Sequence, residues 1–156
     1  MRISLLAVGT RLPAWIGDGF ETYRKRLPGH IQLELVEIPG GARSGRDSAR
    51  NARAEESARI LRRVDGSDLL IALDERGREW STTELAGELE KWLAESPRVA
   101  LAVGGADGLD EACRDRAQRL WSLSRLTLPH GMVRVLVAEQ LYRAWTLLAG
   151  HPYHRA

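Results

Sequence analysis

Val99-Ala-Leu-Ala-Val103 has no polar side chain and runs directly into Gly104-Gly-Ala-Asp-Gly108. A strand that is apolar on both faces must be covered on both, which is the condition of a parallel sheet between helical layers. Glycines at its carboxyl end permit φ > 0 and let backbone amides come close to a ligand. In open α/β sheets ligands sit beyond the carboxyl ends of the strands, so this junction marks where a pocket is expected.

The rest of the chain repeats the pattern of strand then helix. Ile3 to Val8 reads as a buried parallel strand closed by Gly9, and Pro13 opens a helix with Ile16, Phe20, Tyr23 and Leu27 on one face. Ile31 to Ile38 alternates apolar and polar residues as a less buried strand, stopped by Pro39. Leu69 to Leu73 is a third apolar strand, with Asp74 and Glu75 just beyond it. Leu73 and Asp74 are candidate ligand contacts, and Leu73 can equally be simply the last core residue. Ser81 with Glu84 forms a capping box for a helix through Leu85, Leu89 and Trp92. A short helix follows Leu109, then a short apolar segment, Trp121 to Leu128. The last helix, Gly131 to Ala149, is apolar over most of its circumference and must be covered on both sides. In a chain of 156 residues a second copy is a plausible cover. The order predicts an α/β domain with a parallel sheet over residues 1–156.

Charge is balanced overall, with 23 Lys and Arg against 21 Asp and Glu, so only local clusters speak about partners. One cluster is the glycine-rich loop from Gly40 to Asp47, expected to be mobile, whose Arg43 and Arg46 suit phosphate groups. The helix after it, Ser48 to Val64, adds Arg50 and Arg53 and is expected at the surface, with Ala49, Ala52, Ile60, Leu61 and Val64 as a thin apolar side. The single cysteine, Cys113, leaves no intramolecular disulfide and no cysteine metal cluster, and it fits a small, partly buried residue in a reducing compartment. No run is long enough for a membrane span or a signal peptide, so a cytoplasmic protein with no membrane or metal partner is expected. Neither the P-loop pattern nor the dinucleotide fingerprint is present.

Three separated motifs go further: Gly104-Gly-Ala-Asp-Gly108, Leu123-Ser-Arg-Leu-Thr-Leu-Pro-His130 and His151-Pro-Tyr-His-Arg155. With Ala7-Val-Gly-Thr10, Glu37-Ile-Pro39 and the Arg134 to Trp145 segment, they make the full chain resemble the bacterial 23S ribosomal RNA pseudouridine N3-methyltransferase family of the knotted SPOUT superfamily. The chain departs from the family's usual Pro-Glu inside the glycine turn, having Ala106-Asp107, and ends in Ala156 rather than an acid.

The resemblance implies a C-terminal trefoil knot, a homodimer acting on 23S ribosomal RNA in the ribosome, and S-adenosylmethionine as cofactor. Carried over by position, cofactor contacts fall at Leu73, Gly104, Gly105, Leu123, Ser124, Arg125, Leu126, Thr127 and Leu128. Removing the N3 proton of the target base needs a general base or a group that stabilises the anion. The candidates are His130, Glu139, Arg143, Tyr153, His154 and Arg155, with His154 as base or relay and the tail reaching the partner's pocket. Glu139 and Arg143 can equally be a structural i,i+4 pair. Two other readings stand beside this one. The first is a non-catalytic ribosome or RNA-binding factor using Arg43, Arg46, Arg50 and Arg53; the second is a related knotted RNA methyltransferase with another uridine target.

Overall fold

A computed structural model of the chain describes residues 1–43, 45–66 and 68–154. The apolar runs form strands β1 (Arg2–Val8), β2 (Gln32–Ile38), β3 (Leu69–Glu79), β4 (Arg98–Val103) and β5 (Arg119–Ser122). They make a five-stranded sheet in the order β2-β1-β4-β3-β5, every pair parallel. The fully apolar β4 sits at the centre, as its two-faced pattern requires.

Period-two alternation divides the sheet into two faces. Leu5 of β1, Leu101 of β4 and Ile71 of β3 lie in register, each fully buried, and point to the larger core. There they meet α1 (Ala14–Arg24), α3 (Thr82–Glu95) and α5 (His130–Ala149) through Phe20, Leu89 and Leu141. Leu6, Ala102 and Ala72 point the other way, towards α2 (Ser48–Arg62) and α4 (Glu111–Arg116), with Ile60 and Cys113 in the second core. Cys113 is completely buried, more than the sequence suggested, and burial pushes its thiol pKa up to about 11. The expected capping box starts α3: Ser81 Oγ accepts from Glu84 N at 3.1 Å, and Glu84 Oε2 from Ser81 N at 2.7 Å.

The structure corrects several boundaries. β3 continues past Leu73 to Glu79, because after a register shift Arg78 and Glu79 pair again with Trp121 and Ser122 of β5. Pairing through the main chain places no demand on the polar side chains of this extension. Its close approach needs Gly77, where a Cβ would lie 2.5 Å from the Leu120 carbonyl carbon. The segment read as Trp121 to Leu128 is strand only to Ser122 and loop thereafter. Helix α2 is not purely a surface helix, since Ala52, Glu56, Ser57 and Ile60 are buried, whereas Ala49 is exposed. The loop before it is anchored at its start rather than free: Arg59 Nη1 donates to the carbonyls of Pro39 and Gly40 at 2.8 Å each, and Gly41 N donates to Glu56 Oε1 at 3.1 Å.

Helix α5 packs against both α1 and α3. Small residues let it approach α1 closely, for a Cβ on Gly131 would meet Ile16 Cδ1 at 2.6 Å and one on Gly19 would meet Val135 Cγ2 at 3.1 Å. Arg134 fixes its height on the sheet. This side chain is only 2% exposed; Nη1 donates to Glu37 Oε2 at 2.9 Å, and Nη2 to Gly9 O at 2.8 Å and Val8 O at 3.3 Å. No helix among the described residues is long and apolar enough to cross a membrane.

Arg134→Met should therefore lower the unfolding free energy by about 1–3 kcal/mol, because it strips buried carbonyls of their donor. Glu37→Gln should cost under about 1 kcal/mol, since that carboxylate is 43% exposed and screened by water. Urea unfolding of both variants checks the ordering, and equal losses would contradict it.

Candidate active site

The carboxyl ends of β3, β4 and β5 surround a cavity of about 520 Å³, within the range of small-molecule sites. Each wall has a different local origin. Leu73 closes it from β3, and Gly104 and Gly105 follow β4. Gly104 leads a tight turn in which Gly108 N donates to Gly105 O at 3.0 Å. A Cβ at Gly104 would sit 2.4 Å from the Gly108 carbonyl carbon, and Gly108 itself has φ +74°, so both positions require glycine. The third wall is the loop after β5, contributing Leu123, Ser124, Leu126, Thr127 and Leu128. Short-range hydrogen bonds shape it: Ser122 Oγ donates to Ser124 O at 3.0 Å, and Ser124 Oγ accepts from Leu126 N at 2.9 Å.

Of the cofactor positions inferred from the sequence, Arg125 alone does not line the cavity. Its neighbours Ser124 and Leu126 do. His130, at the start of α5, lines the cavity, and so does Arg53 of α2. Arg46 and Arg50 are exposed, while Arg43 pairs with Asp107 of the glycine turn and, at 3.3 Å, with Glu56.

The remaining catalytic candidates gather elsewhere. Arg143 Nη2 meets Glu139 Oε1 at 2.6 Å, and Tyr153 Oη donates to the same oxygen at 3.0 Å. The Arg143 guanidinium lies 4.9 Å from the Tyr153 ring centroid, and the Tyr142 ring centroid is 4.6 Å from it on another side. The tail thus folds as a short 3-10 turn, Pro152–His154, onto the C-terminal half of α5. None of Glu139, Arg143, Tyr153 or His154 lines the cavity of its own chain. His154 Nδ1 is buried with no hydrogen-bond partner among the described residues. Arg155 lies outside the described residues.

Burial, then the hydrogen bond to Glu139 and its charge, push the Tyr153 pKa from 10.0 to about 12. Tyr153 is therefore a proton donor at neutral pH and not the base. The bond to Glu139 likewise raises the already high pKa of Arg143.

Sequence reasoning missed the acids around the cavity mouth. Asp107, Asp110 and Glu111 line it together with Glu75 and the foreseen Asp74. Asp74 is held by Arg76 N at 2.9 Å, with Arg114 Nη1 3.9 Å away, while Asp110 caps α4 by accepting from Cys113 N at 3.0 Å. An N-cap Asp followed by Glu before the short helix was the one available signal for the last pair. Glu56 had none, being one charge among many in an arginine-rich helix.

Comparison with known proteins decides the family. The model described as "Predicted SPOUT methyltransferase" matches residues 1–154. The chain belongs to the SPOUT methyltransferase family. It is 54% identical over 156 residues to the Ribosomal RNA large subunit methyltransferase H of Alkalilimnicola ehrlichii, covering 100% of both chains. The protein of the same name from Methylococcus capsulatus is 51% identical over 155 residues, 99% of this chain and 100% of that one. Solved structures share the fold. A probable methylase family protein from Haemophilus influenzae aligns with TM-score 0.54 at 20% identity, over 99% of this SPOUT chain and 70% of its own. A Legionella pneumophila protein assigned as a methyltransferase, solved with the bound cofactor SAM, aligns with TM-score 0.52 at 10% identity over 93% and 66%.

Two measurements test this geometry in the SPOUT chain. Gly104→Ala should destabilise it by about 1–3 kcal/mol through overpacking against Gly108, read by urea unfolding. For Tyr153, between pH 10 and 12 the folded chain holds a phenolic proton that the unfolded chain has released, so stability should fall as pH rises through that window. Ultraviolet titration should show one late tyrosine that moves towards its ordinary range in Glu139→Gln; an unmoved titration would contradict the coupling.

Proposed function

We propose that this chain methylates N3 of a pseudouridine in 23S ribosomal RNA, using S-adenosylmethionine, as a homodimer acting on assembled ribosomes in the cytoplasm. The observation that carries the reading is the glycine-turned cavity at the strand ends, in a chain about half identical, end to end, to ribosomal RNA large subunit methyltransferases. When bound, S-adenosylmethionine supplies a methyl group already activated on a sulfonium. The cavity fits it in size, in the glycine backbone at the Gly104 turn, and in a lining where Asp74, Glu75, Asp107, Asp110 and Glu111 outnumber Arg53, Arg76 and Arg114, a balance that suits a cationic ligand.

The chain's own residues then have two tasks. Leu73, the Gly104–Gly105 backbone and the loop residues Leu123, Ser124, Leu126, Thr127 and Leu128 would hold the donor beside the target base. N3 of the target must give up its proton, so a group of the chain has to accept it. His154, with a buried and unpartnered Nδ1, is the proposed acceptor or relay for that proton. Tyr153 and Arg155 are assigned to the nucleotide and its phosphate, and His130 to the cavity side of the base. Glu139 and Arg143 support the tail that bears them.

We assign the tail of one copy to the cavity of the other. Within one chain, Glu139 and Arg143 stand 9 and 13 residues along α5 from cavity-lining His130, about 14 and 20 Å of helix rise. Met132 and Leu148 of α5 and Trp15 at the start of α1 are exposed apolar side chains for a second copy to cover. The trefoil knot is part of the same proposal, with residues 1–156 as a single domain. In its support, β5 lies beyond β3 at the sheet edge, yet the next helix returns to pack on α1 and α3.

The test is transfer from labelled S-adenosylmethionine to ribosomes lacking the modification, with the product located by mass spectrometry. Label on one pseudouridine of the large-subunit RNA is expected, with His154→Ala slower by about 10²–10⁴-fold. Mixing His154→Ala chains with Gly104→Val chains should restore part of the activity, because each mixed dimer regains one complete site. Wild-type rates in His154→Ala would remove that residue from the mechanism.

A further inference from the structure

The Gly104–Gly108 turn closes with a single internal backbone hydrogen bond, and three of its five residues are glycine. Glycine segments lose much conformational freedom on ordering, so a turn of this kind needs outside anchors to hold one shape. Helix α2 provides them from underneath. Ser57, completely buried, accepts from Asp110 N at 3.0 Å just past the turn. One helical position earlier, Glu56 is 1% exposed, and its Oε2 lies where a Cβ on Gly105 would be 3.2 Å away.

Arg43 completes the arrangement. Its guanidinium bonds Asp107 within the turn and reaches Glu56 Oε1 at 3.3 Å. Arg43 is itself held in place, because Arg59 and Glu56 anchor the chain from Pro39 to Gly41. A Cβ at Gly41 would lie 2.6 Å from Ala52 Cα, so this loop is pressed against α2 as well. Withdrawing Arg43 to an RNA phosphate would leave the Glu56 carboxylate buried with the Gly41 amide as its remaining donor, and an uncompensated buried charge is strongly unfavourable.

We propose that Arg43 is a positioning residue for the cofactor turn: the Glu56–Arg43–Asp107 chain of charges is a strut that holds Gly104–Gly108 in its binding shape, and Arg43 acts on cofactor affinity rather than on RNA. The proposal rests on the reading of the cavity as the S-adenosylmethionine site. It separates Arg43 from Arg46, Arg50 and Arg53, with which the sequence groups it.

Calorimetry of S-adenosylmethionine binding to the full-length protein tests it. Arg43→Ala and Asp107→Asn should each raise the Kd about tenfold, and the double variant should add little, the mark of two groups acting as one. Arg43→Lys should recover only part, since an ammonium lacks the fork that spans two carboxylates. At saturating cofactor, kcat and the KM for ribosomes of Arg43→Ala should stay at wild-type values. Should Arg43→Ala fail to fold by thermal melting, Arg43→Lys, with a Kd still above the wild-type value, carries the same test. Unchanged cofactor affinity with a raised KM for ribosomes would overturn the strut and make Arg43 an RNA contact. Additive losses would overturn it too. Absence of S-adenosylmethionine binding by the wild-type protein would overturn the functional reading along with the strut.

Discussion

Arg134 enters the carboxyl edge of the sheet from the second turn of α5 and gives its guanidinium to the carbonyls of Val8 and Gly9 and to Glu37. A parallel sheet leaves backbone acceptors at this edge that must be satisfied where water is excluded. Arg134 meets that demand at the end of β1, pairs with the Glu37 side chain of β2, and in doing so sets the position of α5. His130 stands one turn earlier on the same helix, so the clamp also sets where that imidazole meets the cavity. On the far side of the central strand α2 has the matching task, through Ser57 and Glu56. The site lies between two helices that are each fixed by buried polar contacts rather than by apolar packing alone.

The strands and helices were legible because both periodicities are strong in this chain. Apolar β1 and β4 took their places beside one another at the middle of the sheet, and the Ser81–Glu84 box began α3 where the sequence put it. What failed to show were features fixed by long-range main-chain geometry. The polar second half of β3 has no strand pattern, because its pairing with β5 uses backbone groups and depends on Gly77 fitting against Leu120. The anchoring of the Gly40 loop was hidden for a related reason: its donors and acceptors come from Glu56 and Arg59, up to 19 residues further on.

The site was legible in unequal parts. Leu73 and Gly104 follow from the rule that ligands bind beyond strand ends, the 123–128 loop came from the family resemblance, and all but Arg125 line the cavity. The charged residues were harder to sort. In sequence, Arg43 and Arg46 look alike and both are exposed, yet Arg43 is engaged by two carboxylates. Glu56 looks like a solvated helix charge and is among the most buried polar groups in the molecule. A one-dimensional pattern gives a charge its position on a helix but not the partner brought to it from another element.

The tail poses the opposite problem, because its local structure closes on itself while the function proposed for it is not local. Tyr153, Arg143 and Glu139 satisfy one another on α5, and the raised Tyr153 pKa follows from that closed arrangement. A self-contained cluster would ordinarily be read as structural. Two features argue otherwise. His154 has a buried ring nitrogen with no partner among the described residues, a group still open to a hydrogen bond from outside. The same tail lies against a helix whose exposed Met132 and Leu148 leave apolar surface for a second copy. The proposal that the cluster is a platform presenting His154 to another subunit accounts for both, and it would give a reason for the separation of the cavity from the Glu139–Arg143–Tyr153 cluster within one chain.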